Sequence, residues 1–307
     1  MRIGCVDFVS NTFFPAIAAE ELGSFKAEGV DAHVHLLRTL VAFPALRDGE
    51  VDMLAAPAHS VLRAFPRWQG AKLIVALAQG TPWLVVLRAD VPGERGDATA
   101  LRGLQIAAAA GPNLVFRQFL IELGLTPDRD VEIVDLPNGE AADVNYGVLA
   151  ADALEKNLID GFFANAMGAD ISIARGVGRI HIDARRDGAR FGAVRRFTFA
   201  ALITTDTRIA RDPTQIASVI RAIVKAQKAL RANPALATDV GKRRFPPDAA
   251  KRIAALVNRD LPFYDPRISE EAVDGINRFA RSLGLVTEPV PYGHMVAERF
   301  RDLWTGE

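Results

Sequence analysis

The sequence predicts an α/β protein of two lobes with a similar plan, and three observations carry that prediction. The opening segment is written twice, about a hundred residues apart. Cys5–Phe14 runs into a helical stretch ending Glu21-Leu22-Gly23, and Ile106–Val115 runs into another ending Glu122-Leu123-Gly124. Further on, Leu46-Arg47-Asp48-Gly49-Glu50-Val51-Asp52 and its apolar continuation to Ala56 are echoed by Leu154–Ala164. Finally, short apolar runs bounded by Gly, Pro, Asn or Asp alternate with amphipathic stretches, the pattern of βαβ units around largely parallel sheets. The repeat is too long for a solenoid unit. Two similar lobes on one chain are expected to hold something between them.

In chain order, residues 2–9 read as a strand and 13–22 as a helix. Strand 30–37, helix 40–48, strand 51–56, helix 58–67 and strand 72–79 follow, with Trp83–Leu87 as a further strand. The second copy supplies strand 104–110, helix 113–123, strand 131–135, helix 144–157 and strand 160–164, and Arg179–Asp183 adds one more strand. Phe197–Thr204 reads as a strand that crosses back to the first lobe. Beyond it the composition turns helical, at 213–232, 247–258, 269–283 and 293–304, divided by Asn233-Pro234, Pro246-Pro247 and Asp265-Pro266. These helices carry no third copy of the repeat and are expected to pack on lobe one. The expected division is therefore 1–86 with 200–307 as a discontinuous lobe one, and 87–199 as lobe two.

Lys plus Arg equals Asp plus Glu at 37 each, which argues against a nucleic-acid or polyanion surface. The arginines from Arg175 to Arg196, Arg190 among them, are interleaved with Asp183 and Asp187 and read as a solvated stretch. One cysteine excludes an intrachain disulfide and Cys-rich metal sites; Cys5 in an apolar strand reads as a small buried hydrophobe. No apolar run is long enough to span a membrane. Met1-Arg2 leads straight into the first strand with no leader pattern. The expected location is periplasmic if a leader was removed and cytoplasmic if Met1 is the native start.

In α/β sheets ligands bind beyond the carboxyl ends of strands, where helix N-termini offer backbone N–H groups. The repeat supplies two such places: Ser10-Asn11-Thr12 after the first strand and Gly111-Pro112-Asn113 after its counterpart. Either is an ordinary helix cap by itself; two matching helix starts favour an anion, each dipole contributing roughly 0.3–1 kcal/mol. Pro57-Ala58-His59-Ser60, Asn165 and Gln79-Gly80-Thr81-Pro82 provide further polar loops, and Phe13 and Phe14 are candidate ligand contacts or core. His59 has two readings, a ligand donor or acid/base group and a helix-cap histidine bonded to backbone. Arg63 and Arg117 lie about one turn into their helices, so neither fixes the charge of a ligand. His33 and His35 share a strand face with no third ligand suggested nearby, and no metal site is expected. Asp52 and Asp160 read as structural turn partners. No nucleophile elbow, phosphate-binding loop, dinucleotide fingerprint or His-Glu-x-x-His appears, so no catalytic residue and no cofactor is assigned.

Ala19-Glu20-Glu21-Leu22-Gly23-Ser24-Phe25-Lys26-Ala27-Glu28-Gly29-Val30, Gly49-Glu50-Val51-Asp52, Gly111-Pro112-Asn113 and Leu123–Asp128 together resemble the nitrate/sulfonate/taurine-type solute-binding proteins of ABC transporters. Leu283-Gly284-Leu285 and Val290-Pro291-Tyr292 resemble their usual ending, so the likeness covers nearly the whole chain. It implies a type II periplasmic-binding-protein fold, with two lobes, a ligand cleft and two crossing segments. A small, often anionic solute is the implied ligand and an ABC permease the implied partner. The resemblance carries the cleft positions to Asn11, Phe13, His59, Ser60, Gln79, Asn113 and Asn165. Asn165 departs from the Glu-Pro that many members carry there, so their ligand preference does not transfer. Related proteins on the same fold are enzymes, among them pyrimidine-precursor synthases and small decarboxylases. A lyase or biosynthetic enzyme with His59 as acid/base is therefore the alternative to a binding protein.

Overall fold

The computed structural model describes residues 1–136, 145–187 and 192–305. Among them the apolar runs form ten strands: β1 (Arg2–Cys5), β2 (His33–Leu36), β3 (Met53–Pro57), β4 (Ala71–Ala78), β5 (Leu84–Arg88), β6 (Gln105–Ala108), β7 (Glu132–Val134), β8 (Gly161–Ala164), β9 (Gly178–Asp183) and β10 (Ala200–Thr205). The helices are α1 (Phe14–Glu21), α2 (Ser24–Ala27), α3 (Thr39–Arg47), α4 (Ala110–Glu122), α5 (Tyr146–Glu155), α6 (Ala166–Ala174), α7 (Asp206–Arg211), α8 (Pro213–Ala232), α9 (Leu236–Arg244), α10 (Pro247–Asp260), α11 (Glu270–Ser282) and α12 (Tyr292–Met295).

The strands make two five-stranded sheets with the orders β2-β1-β3-β10-β4 and β7-β6-β8-β5-β9. Substituting β6, β7, β8, β9 and β5 for β1, β2, β3, β4 and β10 turns one order into the other. The sequence repeat is thus a repeat of topology. In each sheet one strand runs against the rest, β10 in the first and β5 in the second. These are the strands that reach each sheet from beyond its own βαβ run, so the mixed character follows from the crossings. The chain divides into one unit of Met1–Gly80 with Thr198–Glu307 and another of Thr81–Phe197. Residues 84–86, assigned to lobe one from sequence, belong to the second sheet because β5 pairs with β8 and β9.

The repeated aspartates hold the same place in both units. Asp52 Oδ2 accepts the Arg2 N–H at 2.7 Å and Asp160 Oδ2 accepts the Gln105 N–H at 2.9 Å, each at the first residue of a repeated strand. Each carboxylate also meets an arginine, Arg208 at 3.4 Å and Arg88 at 3.0 Å. Both are therefore turn partners that fix strand entry. The turns before them match too, with Gly49 at φ 77° and Asn157 at φ 54°. Asparagine is among the few residues that enter the left-handed region at modest cost, so the turn survives the change of letter.

In the first unit α8 carries Ile216, Ile220, Ile223 and Leu230 on one face, all with no exposed surface, and packs on α1 and β4. The buried Gln227 of that face donates to the Ala76 and Leu77 carbonyls at 3.0 and 2.8 Å, latching the helix to the strand. The open edge of β2 is closed by side chains: Glu20 accepts the Val34 N–H at 3.1 Å and Arg244 donates to the Val34 carbonyl at 2.5 Å. This pairs both outward backbone groups of Val34, which reduces what makes an edge strand sticky. In the second unit Phe116 stacks on Phe163 at 4.9 Å, with Phe119 and Trp83 at 6.1 and 5.8 Å from the same ring.

Several elements differ from the sequence expectation, which also passed over the short α2 and α7 and the helix α9. The helix expected over 58–67 is two 3-10 turns, Ala58–Arg63 and Pro66–Trp68, with Arg67 and Trp68 at φ 54° and 64°. Pro66 has no N–H and biases Phe65 away from helical angles, which breaks the run. The helix expected over 293–304 gives way to the short α12 and a 3-10 turn at Glu298–Trp304. Val296 bridges to Leu73 of β4 and Ala297 donates to the Leu73 carbonyl at 3.0 Å, so strand pairing wins there. Helix α6 was not read at all: from Ala166 to Ala174 it is small or apolar except for Asp170 and Ser172, which leaves little helical periodicity to see.

The basic stretch is spent on local partners. Arg175 pairs with Asp152 at 2.6 Å and Glu155 at 2.9 Å, and Arg186 with Asp183 at 3.2 Å. Arg190 and the start of the expected helix at 144 lie outside the described residues. Among the described residues no helix is long and apolar enough to cross a membrane.

Candidate functional site

Strands β1, β2 and β3 are parallel, and β4 runs with them because both β3 and β4 are antiparallel to β10. Their carboxyl ends therefore share one edge of the first sheet, and Asn11, Phe13, His59, Ser60 and Gln79 all stand in the segments that leave it. In the second sheet the same edge releases α4 with Asn113 after β6, and Asn165 with α6 after β8. The structure thus brings five of the predicted residues together on one unit and two on the other.

Asn11 is 2 % exposed. Its Nδ2 donates to Asp260 Oδ2 at 2.6 Å and to the Leu256 carbonyl at 3.2 Å, while the Tyr264 hydroxyl donates to its backbone carbonyl at 2.5 Å. The side chain ties the β1 loop to the end of α10. It does not cap α1, as the Ser10-Asn11-Thr12 motif suggested. The residue at the N-cap position is Phe13, itself buried, and the entering amides are taken by backbone turns from Phe13 to Ser10 and from Phe14 to Asn11. Likewise α4 starts at Ala110 with Ala109 before it and no side-chain cap. Asn113 lies inside the first turn and accepts from Arg117 Nε at 2.8 Å. Arg117 in turn holds Asp128 at 2.5 Å, which draws its charge toward the α4–β7 connection.

His59 is buried, and both ring nitrogens face hydroxyls: Nδ1 lies 2.9 Å from Thr198 Oγ1 and Nε2 lies 3.4 Å from Ser60 Oγ. The His59 backbone N–H also points to Thr198 Oγ1 at 3.4 Å, and Phe279 meets the ring edge-on at 5.3 Å. A hydroxyl both donates and accepts, so this setting satisfies a neutral imidazole in either tautomer. Burial, aided by the Arg63 charge, pushes the ring down to about 3 from its ordinary 6.5. The unfolded ring takes up a proton below pH 6.5 that the folded ring refuses until about pH 3, so stability rises with pH across that window. Acidification from pH 6.5 to 5 is expected to cost about 2 kcal/mol through this residue alone. Urea unfolding at several pH values should show a shallower acid slope in His59→Gln than in the parent; parallel slopes would mean the ring is not held neutral.

Gln79 closes β4. Its Nε2 donates to the Asp265 and Arg267 carbonyls at 2.9 and 2.6 Å, and its N–H to the Phe263 carbonyl at 2.8 Å. Asn165 is the side-chain cap of α6, accepting from Met167 and Gly168 N–H at 3.1 and 3.3 Å, and donates to Asn145 Oδ1 at 3.2 Å. Asn145 caps α5 through the Gly147 N–H at 2.9 Å. Two helix N-termini are thereby tied side by side, and Gly147 and Gly168 make this possible: a Cβ on Gly168 would sit 2.6 Å from the Gly147 carbonyl oxygen.

Sequence reasoning missed Thr198, Asp260, Tyr264 and Asn145. Each is brought to a predicted residue only by tertiary contact, except that Asn145, just before an apolar run, carries a readable N-cap signature. Cys5 has no exposed surface, and burial raises its thiol to about 12. His33 and His35 are exposed; His33 lies 3.2 Å from both Glu20 and Asp31. Among the described residues no group of three or more His, Cys, Asp or Glu is placed to hold a metal ion.

The sequence matches no protein-family model and no curated protein. Solved structures do match over nearly the full chain. The alkanesulfonate-binding protein SsuA from Xanthomonas axonopodis pv. citri, bound to MOPS, superposes with a TM-score of 0.69 at 14 % identity, covering 97 % of this chain and 96 % of that one. The periplasmic nitrate-binding protein NrtA from Synechocystis PCC 6803 gives 0.69 at 13 % identity, covering 99 % and 86 %. The desulfurization enzyme DSZB gives 0.64 at 17 % identity, covering 98 % and 97 %. The chain has the fold of periplasmic solute-binding proteins, in two mixed five-stranded sheets.

Proposed function

We propose that the protein binds a small anionic or polar organic solute for ABC-type uptake, held between its two units by the loops at the carboxyl ends of the strands. The observation that carries this reading is the fold shared end to end with an alkanesulfonate-binding protein and a nitrate-binding protein. Helix α4, without a side-chain cap, gives the second unit a helix N-terminus suited to an anion, and the dipoles of α5 and α6, whose first amides Asn145 and Asn165 already cap, add to the field there. Leu36 at the end of β2 and Leu40 and Val41 just past it, each about half exposed, suit a solute with an apolar part. On this reading Asn11, His59, Ser60 and Gln79 shape the loops of the first unit, and Phe13, Asn113 and Asn165 stand at the helix starts.

The similarity to DSZB keeps an enzymatic reading in view. It is disfavoured at the one acid/base candidate, since the His59 ring is buried and lowered to about 3; the single thiol, Cys5, is buried and raised to about 12. Neither offers a thiolate or a general base near neutral pH.

A thermal-shift screen against MOPS and other sulfonates, nitrate, small aromatic carboxylates and pyrimidines tests the proposal. A solute at a hundred times its dissociation constant should add about 2.7 kcal/mol. A stabilising sulfonate or nitrate recovered unchanged supports a receptor. A hit that is chemically altered moves the protein to the enzymes, and no shift with any anion overturns the anion reading.

A further inference from the structure

The turn from β2 into α3 makes choices that folding alone does not reward. The residue at the N-cap of α3 is Arg38, at φ −55° and ψ 143°, and it supplies no side-chain cap. Ser, Thr, Asp or Asn would close this end, whereas a cation there meets the positive end of the helix dipole. Arg38 is exposed, and among the described residues its guanidinium has neither a carboxylate nor another hydrogen-bond partner. The Arg38 carbonyl takes the N–H groups of Val41 and Ala42, so those of Thr39 and Leu40 are unpaired among the described residues. The surface beside this charge is apolar. Seven large apolar side chains are exposed among the described residues, and three of them, Leu36, Leu40 and Val41, fall within six positions. Helix α3 buries Ala42, Phe43, Ala45 and Leu46, and its outward side turns polar only at Arg47 and Asp48. Single exposed leucines are ordinary, but a group of them marks an interaction site.

We propose that Arg38 with Leu36, Leu40 and Val41 is the first unit's subsite for an organic oxyanion, a sulfonate or carboxylate with an aliphatic body. The guanidinium takes the head group and the three apolar side chains cover the body. A planar guanidinium donates two parallel hydrogen bonds to such a head, which a lysine cannot match. The bound anion also neutralises the cation at the helix start, so one ligand resolves both unfavourable features of the turn. Because β1, β2 and β3 are parallel, Arg38 leaves the same carboxyl edge of the sheet as Asn11 and His59. The inference rests on the solute-receptor reading and narrows its ligand: nitrate has no body for the apolar residues to cover.

The test is isothermal titration calorimetry on the whole chain with methanesulfonate, butanesulfonate, hexanesulfonate, hexanoate and nitrate. In the parent, affinity should rise about fourfold with each added methylene, and nitrate should bind more weakly than hexanesulfonate. Arg38→Gln should weaken the sulfonates and hexanoate about tenfold or more without changing the increment per methylene. Arg38→Lys should recover part of that loss. Leu40→Ser should flatten the increment and spare methanesulfonate. Lys26→Gln, which removes an equal charge from an exposed position on α2, should change no affinity. The Tm of solute-free Arg38→Gln should not fall, because the substitution deletes a cation from the positive end of a helix. A lowered Tm would make Arg38 structural and overturn the subsite, as would equal weakening by Lys26→Gln. Sulfonates that bind the parent and Arg38→Gln alike overturn the subsite alone and leave the receptor reading standing. No binding of any anion to the parent overturns the receptor reading and the subsite with it.

Discussion

Asn11→Ala is expected to destabilise the protein by about 2–4 kcal/mol, because it strips a hydrogen-bond donor from a buried carboxylate. Asp260 is 2 % exposed, and its Oδ2 receives the Asn11 amide at 2.6 Å while Arg259 holds the other oxygen at 3.1 Å. The same amide reaches the Leu256 carbonyl, so one truncation unties the β1 loop from α10 at two points. Asn11→Asp should cost more at neutral pH, since it sets two carboxyl groups against each other where the amide now bridges. Urea unfolding with fluorescence detection reads both variants. A change below about 0.5 kcal/mol for Asn11→Ala, the range of ordinary surface substitutions, would show that the bond is replaced by water.

Gly168→Ala is the second large effect. The added methyl would lie 2.6 Å from the Gly147 carbonyl oxygen and 2.9 Å from the Gly147 Cα, both backbone atoms of the first turn of α5. A flexible side chain could swing away from such a contact; a helix backbone must move as a body. Overpacking of this kind costs about 1–3 kcal/mol, and separating the helices also pulls Asn165 from Asn145. The expected result is a lowered Tm together with weaker binding of whatever solute the screen identifies. Unchanged binding in a destabilised Gly168→Ala would separate the paired helix starts from the ligand site.

The sequence alone was enough for the architecture, because the repeat of strand, helix start and a turn ending in aspartate, at Gly49–Asp52 and Asn157–Asp160, is local and is met twice. Each copy fixes a βαβ unit through short-range chemistry: an apolar run that must be buried, a turn that needs a left-handed residue at Gly49 or Asn157, and an aspartate that takes the first strand's N–H. Local chemistry also placed the candidate residues on the carboxyl edges of their sheets, since a loop after a parallel strand has nowhere else to be.

What each of those residues does there was decided only by the fold. Asn11 looked like a cap and is a tie to Asp260, a residue far along the chain. His59 could be read as an acid/base group until Thr198, Ser60 and Phe279 closed around it and burial removed its charge. Helix α6 went unread because its polar residues, Asp170 and Ser172, are too few to mark a helical period. The expected helix over 293–304 yielded to a bridge with β4, whose open edge no local pattern could announce. Local sequence sets backbone geometry through sterics and short-range hydrogen bonds. Burial and the partner of each polar group are set by residues distant in the chain, and those decide which side chains are left to meet a ligand.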